Sequence, residues 1–124
     1  AKYAEMLADK MELHGAKAWL INTGMTGGAY GTGSRMSLAH TRAIIDAIHD
    51  GSLDEVETHS EPVFGVEIPV AVPGVPTEVL NPKDSWSDKE AFDETASKLA
   101  ELFNKNFEQY REGSSAEIAA AGPR

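Results

Sequence analysis

The chain has 124 residues, 41% apolar and 25% charged, which is the size and usage of one small globular domain and excludes global disorder. Twenty acidic residues against eleven basic ones give a formal charge of −9, which repels nucleic-acid phosphates and anionic membrane leaflets, and no apolar run approaches the roughly 20 residues that span a bilayer. Without cysteine there is no disulfide, no thiolate metal ligand and no cysteine nucleophile, and the expectation is a soluble, cytoplasmic protein.

The first ten residues, AKYAEMLADK, lack both the basic start and the apolar core of a secretory signal. They begin without Met and run straight into a helical pattern, which is expected either of a mature chain that has lost its initiator or of a piece cut from something longer. Tyr3, Leu7 and Met11 recur at helical spacing and Gly15 supplies a stop, so residues 2 to 14 are predicted as a helix. AWLIN, residues 18 to 22, reads as a short buried strand.

The glycine-rich stretch GGAYGTGSRMS follows, and Ser37 can cap the next helix. In that helix Leu38, Thr41, Ile44, Ile45 and Ile48 line one face until Gly51 closes it. From Val56 the pattern turns to alternation, with Phe64, Val66 and Ile68 on one face of one or two strands. Residues 69 to 86 carry four of the six prolines, which predicts a long connection wrapping a surface. Ser87, Asp88, Lys89 and Glu90 form a capping box, and the stripe Phe92, Ala96, Leu99, Phe103 and Tyr110 carries a long helix to about residue 111. The tail from 113 to 124 is small and polar, and is expected to fray.

Strand, glycine loop, helix is the order that phosphate-gripping loops use, because helix N-terminal amides converge on an anion. Gly28 and Gly33 have the Walker spacing, but Ser34 stands where the lysine must be and Arg35 where the hydroxyl must be. The dinucleotide fingerprint fails as well, since Gly31 and Gly33 are followed by Met36 where a third small residue is required. Two readings stay open: a tight turn that only glycine permits, or a ligand wall in which Arg35 lays its guanidinium against a base or an oxygen.

His14, His40, His49 and His59 match no zinc spacing and read as solvent-facing. Glu55, Glu57, His59 and Glu61 would share one strand face, either as a weak cation site or as a charged edge that discourages aggregation. No serine sits in a GxSxG elbow and no carboxylate pair stands out, so the chain shows no complete catalytic site, and no metal ligand is assigned.

WLINTGMTGGAYGTGSRMSLAHTRAIIDAIHDGSL and FGVEIPVAVPGVPTEVLNPKDSWSDKEAFDETASKLAELFNKNF closely resemble the C-terminal part of ATP-dependent phosphoenolpyruvate carboxykinases. The likeness runs from about Tyr3 to Tyr110 and is most specific at NTG (22 to 24), GSRMS (33 to 37), HTRAII (40 to 45), PGVP from 73 and LNP from 80. The resemblance implies an α/β fold, a small mixed sheet packed by about three helices, within a larger nucleotide-binding domain. Residues 1 to 112 would be that segment and 113 to 124 its tail.

It further implies a carboxy-lyase of gluconeogenesis that turns oxaloacetate and ATP into phosphoenolpyruvate, CO2 and ADP with Mg2+ and Mn2+. The family's phosphate-loop lysine, metal ligands and oxaloacetate-binding arginine fall outside the matching segment, so this segment alone is expected to be inactive. By the same resemblance Arg35, Met36 and Thr41 fall on nucleotide-contacting positions: Arg35 against base or sugar, Met36 through backbone and apolar contact, Thr41 by a hydrogen bond. Met25 stands where many members carry Trp, Ala29 where many carry Pro, and Ser34 where Lys is frequent, which implies a less rigid and less basic loop. The remainder of a parent chain and self-association through bare apolar faces are the expected protein partners. The alternative reading is a non-catalytic adaptor that reuses the fold.

Overall fold

The computed structural model describes residues 2–28 and 30–124; Ala29, where the loop was expected to lose a proline's rigidity, lies outside the described residues. Among them the order is α1 (Lys2–His14), β1 (Met25–Thr26), β2 (Ser34–Arg35), α2 (Leu38–His49), β3 (Thr58–Ser60), β4 (Glu67–Pro69), α3 (Thr77–Leu80), α4 (Pro82–Ser85), α5 (Lys89–Arg111) and α6 (Ala116–Ala120). The fold is mixed α/β. In place of one small mixed sheet there are two antiparallel hairpins, β1 with β2 and β3 with β4.

The reason lies at residues 18 to 22. This apolar run forms no strand among the described residues, because a strand exists only where a neighbour accepts its backbone hydrogen bonds. Leu20 is left 92% exposed while Trp19 turns toward the core.

The three longer helices form where their caps and periodicity place them. Ser37 caps α2 by accepting from the Ala39 N–H. Asp88, and not Ser87, caps α5, its carboxylate accepting from the N–H groups of Glu90 and Ala91 at 3.0 Å each. A carboxylate gains more than a hydroxyl at a helix N-terminus because the bonds are charge-assisted. The tail is more ordered than its composition implied. Ser115 caps α6 through the Ile118 N–H, the Arg124 N–H donates to the Val63 carbonyl at 2.8 Å, and Asn104 Nδ2 donates to the Pro123 carbonyl at 3.2 Å.

The core is small and centres on α2. Ala47, Leu53, Val72 and Val75 are buried together, with Ile44, Ile48, Val56 and Val79 packed against them. The proline-rich stretch keeps Pro73, Gly74, Pro76 and Pro82 exposed, while Val72 and Val75 turn into the core and form an isolated bridge across the Pro73–Gly74 turn, and α3 and α4 follow as single turns. Pro82 opens α4 at a position where a missing N–H costs nothing.

On α2 the buried residues are Thr41 and Ala47, whereas Leu38 and Ile45 are exposed. On α5 only Ala96 and Ala100 are buried, and Leu99, Leu102, Phe103 and Tyr110 remain open to solvent. Helix α1 buries nothing: its Tyr3, Met6, Leu7 and Leu13 are all exposed. No helix among the described residues is long and apolar enough to cross a membrane.

Candidate functional site

The glycine-rich stretch is held from both ends. Asn22 folds the NTG turn, its Oδ1 accepting from the Gly24 N–H at 2.9 Å and its Nδ2 donating to the Met25 carbonyl at 3.0 Å. Met25 then pairs with Arg35 and Thr26 with Ser34, and the Met36 N–H donates to the Gly24 carbonyl at 2.8 Å. Between the strands, Gly28 and Gly31 take positive φ of 152° and 93°, which only glycine adopts without strain. The loop is thus an irregular hairpin tip, and no frame of converging amides for a phosphate is needed to explain its glycines.

Extended backbone at β2 sends successive side chains to opposite faces. Arg35 consequently points outward and is exposed, while Met36 is 8% exposed and turned inward. Among the described residues the ion pairs are Lys17–Asp54, Lys83–Asp93 and Arg111–Glu108, so no carboxylate there neutralises Arg35. Thr41 is 9% exposed, and its hydroxyl donates to the Ser37 carbonyl at 3.1 Å. Its one proton is spent within the helix, leaving the oxygen free only to accept.

Met36 borders a cavity of about 670 Å³ whose walls include Trp19, Ile44, Ile48, Ile68 and Trp86. That volume lies in the range of small-molecule sites, and a lining of apolar and aromatic groups with few polar atoms suits a flat heterocycle. Of the three residues expected to touch nucleotide, Met36 is in the lining and Arg35 and Thr41 are outside it. Trp19 and the 17–22 segment, which the sequence placed in a strand, supply one wall. Nothing local in the sequence marks them as such, since the wall is made by chain segments up to about 70 residues apart.

The four histidines do not converge. Among the described residues there is no group of three or more His, Cys, Asp or Glu side chains able to hold a metal ion. Glu55, Glu57 and His59 are exposed, and Glu61 is occupied in a turn, its carboxylate accepting from the N–H groups of Val63 at 3.0 Å and Phe64 at 2.5 Å. Of these four residues only His59 lies in β3 (Thr58–Ser60), so the shared strand face expected of them does not form.

Comparison with known proteins gives a consistent picture. The family model described as phosphoenolpyruvate carboxykinase matches residues 1–78. The chain is 53% identical over 123 residues to "Phosphoenolpyruvate carboxykinase (ATP) 2" of Salinibacter ruber, covering 99% of this chain and 23% of that protein. It is 54% identical over 122 residues to "Phosphoenolpyruvate carboxykinase (ATP)" of Dictyostelium discoideum, covering 98% and 22%. The protein of the same name from Thermus thermophilus is 50% identical over 122 residues, covering 98% and 23%. The chain therefore spans about a quarter of the length of these relatives. Each is named as the enzyme, and the adaptor alternative finds no support among them.

Proposed function

Since this chain belongs to the phosphoenolpyruvate carboxykinase family, we propose that it supplies the adenine and ribose side of an ATP pocket. The whole enzyme would convert oxaloacetate and ATP to phosphoenolpyruvate, CO2 and ADP in the cytoplasm, as a step of gluconeogenesis. Residues 1 to 112 form the nucleotide-side segment and 113 to 124 its tail.

One observation carries this reading. Arg35, exposed and unopposed by any carboxylate among the described residues, neighbours Met36, which lines an apolar cavity of about 670 Å³. A planar cation adjoining in sequence the residue that lines this recess supports a purine nucleoside whose charged tail stays outside, because a guanidinium can stack on a base or reach a ribose oxygen. Met36 offers apolar contact. Thr41, with its oxygen available as an acceptor, supports the turn that presents both.

The fit to nucleotide is partial and the fit to metal is poor. The apolar lining suits a base, but no cluster of carboxylates or histidines among the described residues suits Mg2+ or Mn2+. In this reading the ions, which supply charge neutralisation at the transferred phosphoryl, are held with the triphosphate and oxaloacetate by groups outside this segment. The segment by itself turns over no substrate. The apolar side chains left bare on α1 and α5 would pack on the remainder of the enzyme or, in isolation, on a second copy.

Titration of the chain with ATP by calorimetry tests the site. Weak binding that Arg35→Ala reduces further is expected. Binding that is tight and indifferent to Arg35→Ala would place the nucleotide elsewhere.

A further inference from the structure

The hairpin that carries Arg35 is tied to one distant point. Thr26, in β1, donates its hydroxyl proton to Ser85 Oγ at 3.2 Å across 59 residues of chain, and Ser85 Oγ donates in turn to the Pro82 carbonyl at 2.7 Å. Each hydroxyl has a single proton, so the direction of this relay is set: Ser85 spends its proton on α4 and can only accept from Thr26. The next residue fits as closely. A Cβ on Gly27 would lie 3.0 Å from the Ser85 carbonyl oxygen, tighter than ordinary contact, so backbone meets backbone at this point. Ser85 and Thr26 are both partly buried, and both border the cavity.

From this geometry we infer that Ser85 is a positioning residue, which fixes the β1–β2 hairpin against α4 and so sets where Arg35 stands, one residue from the cavity-lining Met36. Thr26 pairs with Ser34 and Met25 with Arg35, so a shift of β1 is transmitted to Arg35 within one residue step of the ladder. The hairpin has only two residues per strand, and a ribbon so short has little stability of its own. The tether from α4 supplies what the ladder lacks. The inference rests on the nucleotide role proposed for Arg35, and two readouts keep the two claims separate.

Amide hydrogen exchange of the full 124-residue chain reads the tether directly at the Met36 N–H, which closes the hairpin onto Gly24. Ser85→Ala is expected to speed that exchange about fivefold, the equivalent of one ordinary hydrogen bond of about 1 kcal/mol. Amides in the middle of α5 should be unmoved. ATP affinity should fall by a similar factor, Ser85→Thr should restore both, and Ser85→Ala should add nothing in an Arg35→Ala background. Thr26→Val removes the same bond from the other side with little change of shape, and should reproduce the effect where Ser85→Ala folds poorly.

Unchanged exchange at Met36 in both variants overturns the inference. Faster exchange with unchanged affinity in a chain that does bind ATP also overturns it, since the hairpin would then not serve the nucleotide. Faster exchange in a chain whose Arg35 proves irrelevant to ATP leaves the tether standing and removes the function proposed for the site.

Discussion

The rings of Phe64 and Phe103 meet edge to face, with centroids 6.1 Å apart and planes at 82°. Phe64 sits in the turn between β3 and β4, and Phe103 lies midway along α5, so this contact joins the second hairpin to the longest helix. The hairpin matters to the site because Thr58, Glu67 and Ile68 form part of the cavity wall.

Phe103→Ala is therefore expected to destabilise the chain by about 1 kcal/mol, the value of an edge-to-face pair beyond simple burial, with Phe103 itself half exposed. Phe103→Leu, which keeps apolar area and loses the ring edge, should recover about half of that. Urea unfolding curves with unchanged slopes would measure both. Equal stability of the Ala variant and the parent would mean the pair is a surface coincidence.

Leu53 has a larger role. It is 4% exposed, packs with Ala47, Val72 and Val75, and borders the cavity. Truncating a buried Leu to Ala costs about 2 to 5 kcal/mol through lost transfer energy and the void left behind. Because the neighbouring space is already open, the void term is small, and Leu53→Ala should fall near the lower end, about 2 kcal/mol. Against a domain stability of about 5 to 15 kcal/mol, that change should move the thermal midpoint by several degrees. A loss above about 4 kcal/mol would show that the cavity closes around Leu53 in solution.

Much of this fold was legible because much of it is local. The stop at Gly15, the Ser37 cap and the stripe on α5 each depend on residues within one or two helical turns, and the three helices they mark form at the expected places. Residues 18 to 22 failed for the opposite reason: a strand is a relation between two segments, and an apolar run does not say whether its partner is present. The Pro73–Gly74 turn lies at the surface, as a proline implies, but nothing in that turn marked Val72 and Val75 on either side of it as core. At the site, the alternation that puts Arg35 out and Met36 in follows from extended backbone alone. The cavity beside Met36 does not, since Trp19, Ile44 and Trp86 converge on it from separate parts of the chain. No spacing rule reaches that far.

Two glycines should respond to substitution in different ways. A Cβ on Gly33 would fall 2.5 Å from the Gly28 carbonyl oxygen and 2.6 Å from that of Thr26, so any side chain there forces the loop open. Gly74 has room, with Ala43 Cβ 3.7 Å away, but its φ is +75°, where side chains pay about 1 to 2 kcal/mol. Asn tolerates that region better than Ala does. Gly74→Asn should therefore be milder than Gly74→Ala, whereas Gly33→Asn should be at least as harmful as Gly33→Ala. Thermal melts of the four variants decide it, and a Gly33→Ala variant that keeps a protected Met36 amide would show that the loop is looser than its backbone contacts imply.

Asp50 closes α2 and carries a negative charge at a helix C-terminus, where the macrodipole disfavours it. Its carboxylate nonetheless accepts from both the hydroxyl and the N–H of Ser52, and these bonds, the side-chain one foremost, hold its pKa below the ordinary aspartate value. The folded value thus lies under the unfolded one. The stabilisation is present in full above the usual carboxylate range and is lost as pH falls through the folded value. Because the group is fully exposed, the effect should be small and weaken with salt. Ser52→Ala should raise the Asp50 midpoint toward the ordinary value, and Asp50→Asn should flatten this part of the pH dependence. Carboxyl-carbon NMR titration reads the midpoint directly. A midpoint at or above the ordinary one in the parent chain would mean that the dipole outweighs the two hydrogen bonds.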